Sequence, residues 1–157
     1  MSRVLQNTSL CLVAIALVLV ADIAQAINCR VRVSPVNFGT YTPLTPVHLD
    51  VTGQIEVRCQ AQPGTFEVQF GPGTSGDQTA RTLNAGGANI LFYNLYRDAG
   101  RTQIWGDGIP PTFVVTGART ARGRPTIYNY PVYGRIFANQ APNSGQYSDN
   151  IVVTVLF

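Results

Sequence analysis

Three kinds of side chain in this 157-residue chain could do chemistry: the cysteines, the single histidine and the few acidic residues. Catalysis needs an acid, base or nucleophile held by partners. One histidine, His48, and no G-x-S-x-G sequence leave a hydrolase triad without support. Cys29 and Cys59 are far apart and have only His48 to join them, which is not a metal-ligand spacing. Asp77, Asp98 and Asp107 stand beside glycine or alanine in turn-like contexts, where a carboxylate accepts hydrogen bonds from backbone N–H groups. Glu56 and Glu67 fall at outward positions of alternating segments, and Asp50 and Asp149 join no catalytic pattern. The chain reads as a non-enzyme with no cofactor and no metal. Trp105 and the tyrosines Tyr93, Tyr96, Tyr128, Tyr130, Tyr133 and Tyr147 could form a stacking face for sugars. Cross-strand packing is the preferred reading of these rings, and Trp105 is the candidate for a surface-binding contact.

Where this chemistry would operate is set by the N-terminus. Arg3, the apolar run Leu10 to Ala21 and Ala24-Gln25-Ala26 form the pattern of a secretory signal peptide over residues 1–26, cleaved after Ala26. The run is short for a membrane span and ends at Asp22. Cys11 leaves with that segment, and Cys29 and Cys59 form an even pair in an oxidising compartment, so a disulfide is expected. Closing that loop should stabilise by about 3–4 kcal/mol. The formal net charge is +3, and every cation is arginine. Only Arg119 to Arg124 cluster, and they read as a solvated loop; export also argues against a nucleic-acid partner.

Residues 27–157 have the length of one domain, and their pattern is β throughout. Asn28 to Val33 alternates, with Cys29, Val31 and Val33 on one face and Arg30 and Arg32 on the other. Val47 to Val51 reads as a short edge strand, and Gly53 to Gln60 as a strand with Ile55, Val57 and Cys59 inward. Both cysteines then lie on apolar faces, and a bridge between them would sit in the core. Gln62-Pro63-Gly64 signals a turn, and Phe66, Val68 and Phe70 point inward from Thr65 to Phe70. Gly71 to Ala80 is loop, Arg81 to Leu83 begins a strand, and Ile90 to Tyr96 is strongly apolar. Thr102 to Trp105 and Thr112 to Thr116 are brief strands, Gly117 to Pro125 is a basic loop, and Ile127 to Phe137 is a strand interrupted by Pro131. Short strands between Gly, Pro and Asn turns, with no helical periodicity, predict an antiparallel sandwich or barrel, and the length suits one immunoglobulin-like sandwich.

The end of the chain poses the functional question. In Tyr147 to Phe157, Ile151, Val153, Val155 and Phe157 share one face and Val152, Thr154 and Leu156 the other, and neither is properly polar. Such a run reads as a buried strand, yet no later segment covers it. Either earlier strands flank it on both sides or part of its cover comes from another molecule.

The ordered set Cys29-x-V, N-F-G-T-Y at Asn37 to Tyr41, G-Q-I-E-V-R-C at Gly53 to Cys59, F-E-V-Q-F-G-P-G at Phe66 to Gly73 and R-T-L at Arg81 to Leu83 continues through L-F-Y-N-L-Y-R-D at Leu91 to Asp98. It closes with I-W-G-D-G at Ile104 to Gly108, Y-P-V-Y-G-R-I at Tyr130 to Ile136 and Y-x-D-x-I-x-V-T-V-x-F. This set resembles the spore coat protein U domain family of archaic, Csu-type chaperone–usher pilus subunits. The resemblance implies an all-β, single incomplete immunoglobulin-like β-sandwich lacking its last strand. A donor strand from a periplasmic chaperone, and then from a neighbouring subunit at the outer-membrane usher, would complete it. Ile151, Val153, Val155 and Phe157 would form a wall of the open groove.

The implied protein is a structural or adhesive subunit of a surface pilus in adhesion and biofilm formation, exported through the periplasm. Its target would be an abiotic or glycan surface. Only Ile27 and Asn28 would precede Cys29 after cleavage, too few for a donor strand, so a tip position is expected. The alternatives are a secreted carbohydrate-binding β-sandwich and a spore or cyst coat component.

Overall fold

The computed structural model describes residues 27–61, 63–120 and 123–157. The expected signal peptide and its cleavage point after Ala26, Gln62 of the expected turn, and Arg122 of the basic run lie outside these residues.

Among the described residues eight strands form two antiparallel sheets. The larger contains β1 (Asn28–Ser34), β2 (Leu49–Ala61), β7 (Gly123–Ile136), β5 (Ile90–Tyr96) and β4 (Arg81–Asn84), in that spatial order. The smaller contains β6 (Val115–Arg119), β3 (Gly64–Phe70) and β8 (Val153–Leu156). The sandwich expected from the alternating pattern is therefore present. Its core lies between the sheets, where Ile55, Val57 and Cys59 of β2 meet Phe66, Val68 and Phe70 of β3. Leu91, Tyr93 and Leu95 of β5, Val132 and Ile136 of β7, and Trp105 complete it.

The disulfide is formed. Cys29 and Cys59 are direct partners in the β1–β2 ladder, with Cα atoms 4.0 Å apart. Cys59 is fully buried and Cys29 half-buried, so the bridge ties an edge strand to the core.

Several boundaries differ from expectation for identifiable reasons. The expected edge strand at Val47 to Val51 is not separate: Leu49 to Val51 is the start of β2, paired with β7 from Leu49↔Ile136 onward. Since β1 joins β2 only from Gln54, these residues have a partner on one side only among the described residues. Pro131 does not interrupt β7. Among the described residues β5 pairs with β7 only from Tyr133 to Ile136, so Pro131 sits where β7 has a partner on one side, a place that tolerates a residue without an N–H. The expected strand at Thr112 to Thr116 is shifted to Val115–Arg119, and most of the expected basic loop is strand. Arg119 is buried rather than solvated, donating from Nη1 to Thr126 Oγ1 at 2.6 Å.

The terminal run is corrected most. β8 spans only four residues and, among the described residues, pairs with β3 alone. Val152 and Leu156 are exposed, and among the described residues β8 has β3 as its single neighbour, so it is an edge strand and not a strand buried on both faces.

Candidate functional site

Two edges define the site. β1 closes one side of the large sheet and β8 the same side of the small sheet, and among the described residues each has a single neighbour. They come within 8 Å of one another without pairing. Each thus presents a row of unpaired N–H and C=O groups, the feature that makes a strand edge adhesive.

Between these edges lies a groove of about 880 Å³ reaching into the core. Its floor includes Tyr93 and Leu95 of β5 and Ile136 of β7, and its rims include Val33 of β1 and Val153 of β8. The apolar side chains at the rims are incompletely covered. Val33 is 49% exposed, and Val31, Ile151, Val153 and Val155 are half-buried. Fully burying one such side chain is worth about 1.5–3 kcal/mol. Phe157 is not part of this wall. It lies beyond the end of β8 and is 60% exposed.

One end wall is the segment from Val36 to Tyr41. The Phe38 ring packs edge-on against Tyr93 at 5.7 Å and over Gly134, where a Cβ would come 2.8 Å from its Cζ atom. Asn37 Oδ1 accepts from the Gly39 N–H at 2.9 Å, and Gly39 has φ +71°, a conformation glycine adopts without strain. Tyr41 donates to the Phe137 carbonyl at 3.1 Å and accepts from the Gln140 N–H at 3.0 Å. The N-F-G-T-Y run is thus a turn with two aromatic anchors.

The other end wall is the stretch that crosses from the large sheet to the small one before β8. Ser148 exchanges backbone hydrogen bonds with Asn84 of β4 at 2.9 and 3.1 Å. Val152 accepts from the Gly71 N–H at 2.9 Å, just past β3. Between these points Asp149 accepts from the Thr74 N–H at 2.8 Å, the Thr74 hydroxyl at 2.5 Å and the Tyr93 hydroxyl at 2.7 Å. Burial first, and then the Asp149 carboxylate, push the Tyr93 phenol far above its ordinary pKa. Gly73 has φ +71°, and a Cβ there would run into the Asp149 carboxylate.

Beneath this wall lies a buried cation that residue spacing did not expose. Arg81 is fully buried, and its guanidinium donates to Asn94 Oδ1 at 2.6 Å, the Gly71 carbonyl at 2.8 Å and the Trp105 carbonyl at 2.8 Å. Asn94 turns its amide to the carbonyls of Gln78 at 3.2 Å and Thr79 at 3.0 Å. The pair fastens the 71–80 loop to β5. The only sequence signal was a charged residue at the head of an apolar strand.

Trp105 is not a surface-binding residue. It is fully buried, stacks on Phe70 at 4.3 Å and donates from Nε1 to the Val68 carbonyl at 2.8 Å. The packing reading of this ring holds. The turn reading of the acids holds as well. Asp107 accepts from the Ile109 N–H at 3.0 Å and the Thr112 hydroxyl at 3.0 Å, and Asp77 from the Thr79 N–H at 2.7 Å. His48 is exposed just before β2 and accepts at Nδ1 from the Ala138 N–H at 3.0 Å. The groove is an open cleft with an apolar floor, flanked by two edges that each pair with one strand among the described residues.

Comparison with known proteins agrees with this architecture. The chain is 31% identical over 133 residues to Protein U of Myxococcus xanthus, covering 77% of this chain and 70% of that protein. In fold it is similar to the CsuC–CsuE chaperone–tip adhesion subunit pre-assembly complex from archaic chaperone-usher Csu pili of Acinetobacter baumannii. That likeness has a TM-score of 0.59 at 21% identity and spans 84% of this chain but only 40% of the solved one. The bridge from Cys29 to Cys59 and the anchored N-F-G-T-Y turn fall within residues 14–154, the span matched by the Spore Coat Protein U domain profile, and the chain belongs to that family.

Proposed function

We propose that this domain is a strand-accepting structural or adhesive subunit of a surface pilus, assembled along the chaperone–usher route. The single observation that carries the reading is the pair of edges, β1 and β8, each with one neighbour among the described residues, facing each other across an open groove with an apolar floor. An added strand would hydrogen-bond along a free edge and lay alternate side chains against Val31, Val33, Val153 and Val155. Left open, the same edges invite aggregation, a physical reason for a periplasmic chaperone to occupy the groove before an outer-membrane usher and a neighbouring subunit take over. The fold shared with a subunit from a chaperone–subunit complex supports the reading. On this reading residues 1–26 direct export and are removed after Ala26, and N-terminal sequencing of the exported protein tests that step.

The test of the central claim is thermal unfolding with and without an alternating apolar strand linked after Phe157. Completion of the sandwich should raise Tm by more than about 10 °C. An unchanged Tm would mean that the groove accepts no strand. Val153→Asp or Val155→Asp should erase the gain, because the strand would bury an unpaired charge.

A second reading, a protective coat component, is supported by the similarity to Protein U within the Spore Coat Protein U domain family. Immunogold labelling of intact cells separates the two: label along fibres supports the pilus, and label confined to a coat supports the alternative.

A further inference from the structure

The outer rim of the groove carries an uncompensated positive charge. On β1, Arg30 and Arg32 point away from the core and are exposed. Arg30 lies directly opposite Arg58 of β2, also exposed, and Arg32 lies opposite Glu56. Like charges directly opposite each other in a ladder are destabilising. The next strand offers no relief, since Arg58 faces Ile127 and Glu56 faces Asn129 on β7. Among the described residues both ion pairs of the protein end on Asp50, and none involves Arg30, Arg32, Arg58 or Glu56. Three arginines and one glutamate therefore leave two positive charges on the ribbon that forms the open edge.

Resting on the strand-acceptor reading, the geometry points to a partner segment of defined chemistry: an extended stretch of another protein that alternates apolar with acidic residues. β1 has a free edge seven residues long, against four for β8, and its groove-facing Val33 is 49% exposed. A strand seated on that edge faces its apolar residues inward with Val31 and Val33. Its other residues then stand on the outer face beside Arg30 and Arg32, whichever way it runs, because side chains alternate with period two. Acidic side chains at those positions cancel the rim charge, and basic ones add to it. The rim thus selects among apolar strands by charge, and attraction between exposed charges also accelerates encounter.

The experiment uses the disulfide-bonded protein and two eleven-residue peptides, each with Val or Leu at odd positions and either Glu or Lys at even ones. Dissociation constants are read by fluorescence anisotropy at low and high salt. The Glu peptide should bind about tenfold more tightly at 50 mM NaCl, and the gap should close to within about twofold at 500 mM as the rim is screened. The double variant Arg30→Glu, Arg32→Glu should reverse the preference. Should that variant fold poorly, Arg30→Gln, Arg32→Gln should abolish the preference without affecting the apolar contacts. Equal binding of both peptides, or a preference unchanged in the variants, overturns the charge rule while leaving strand acceptance intact. Failure of both peptides to bind, together with no gain in Tm from the linked strand, overturns strand acceptance itself and this rule with it.

Discussion

Tyr93 donates its hydroxyl hydrogen to Asp149 at 2.7 Å, joining the floor of the groove to the segment that leads into β8. Asp149 also holds Thr74 by its N–H and hydroxyl, so one carboxylate fixes β5, the turn after β3 and the approach to β8 together.

Removing the two partners should therefore have unequal effects. Tyr93→Phe loses one hydrogen bond and should cost about 1 kcal/mol. Asp149→Ala leaves four donors, the Thr74 N–H and hydroxyl, the Tyr93 hydroxyl and the Asn150 N–H, to find new partners and should cost about 2–4 kcal/mol. Urea unfolding of the singles and the double gives the coupling energy, and simple additivity would show that the contact is not formed in solution.

Arg81 predicts a larger loss. Its guanidinium satisfies two carbonyls and the Asn94 amide oxygen in a fully buried position. Arg81→Met keeps the volume but orphans those acceptors, and the loss should exceed about 3 kcal/mol. Limited proteolysis within residues 71–80 should accelerate in parallel, since the same network holds that loop.

Trp105→Ala should destabilise by about 3–5 kcal/mol, as expected for a large side chain removed from a packed core. Glycan-array binding, in contrast, should depend on Trp105 only through the amount of folded protein.

Breaking the bridge should act mainly through the unfolded chain. Cys29→Ser, or reduction, should lower stability by about 3–4 kcal/mol for a separation of 30 residues. Denaturant midpoints with and without reductant measure it, and equal midpoints would contradict the bridge.

Acid should weaken the fold in a defined window. The hydrogen bond from Arg135 holds the Asp50 carboxyl below its ordinary value, against the opposing effect of burial. The backbone N–H of Ile109 does the same for Asp107, and the Thr79 hydroxyl for Asp77. At Asp98 burial alone would raise the value, and hydrogen bonds from Gln103 and Thr102 outweigh it. Folded carboxyls with depressed pKa values contribute stability above the unfolded value of about 3.9, and that contribution is lost as pH falls through the folded values. Tm should hold steady down to about pH 4.5 and then fall. Asp50→Asn should make the fall shallower.

Sequence alone fixed what depends on alternation and local turn chemistry. The inward set Ile55, Val57, Cys59, Phe66, Val68 and Phe70 was readable because a strand repeats every two residues and a buried face must be apolar. The turn roles of Asp77 and Asp107 were readable because an aspartate two residues before an N–H satisfies it locally. Cys29 and Cys59 could be matched by compartment and face, although their direct opposition in the ladder depends on register. Tertiary structure decided everything that depends on which strands become neighbours. Alternation cannot tell an edge from a centre, so Leu49 to Val51 became the one-sided start of a long strand, while the apolar run ending at Phe157 became an edge. Trp105 and Arg81 were buried by residues distant in sequence, and spacing carries no record of such contacts. The groove is the clearest case: it exists because β1 and β8 end two different sheets on the same side, a relation between elements that no single stretch of sequence contains.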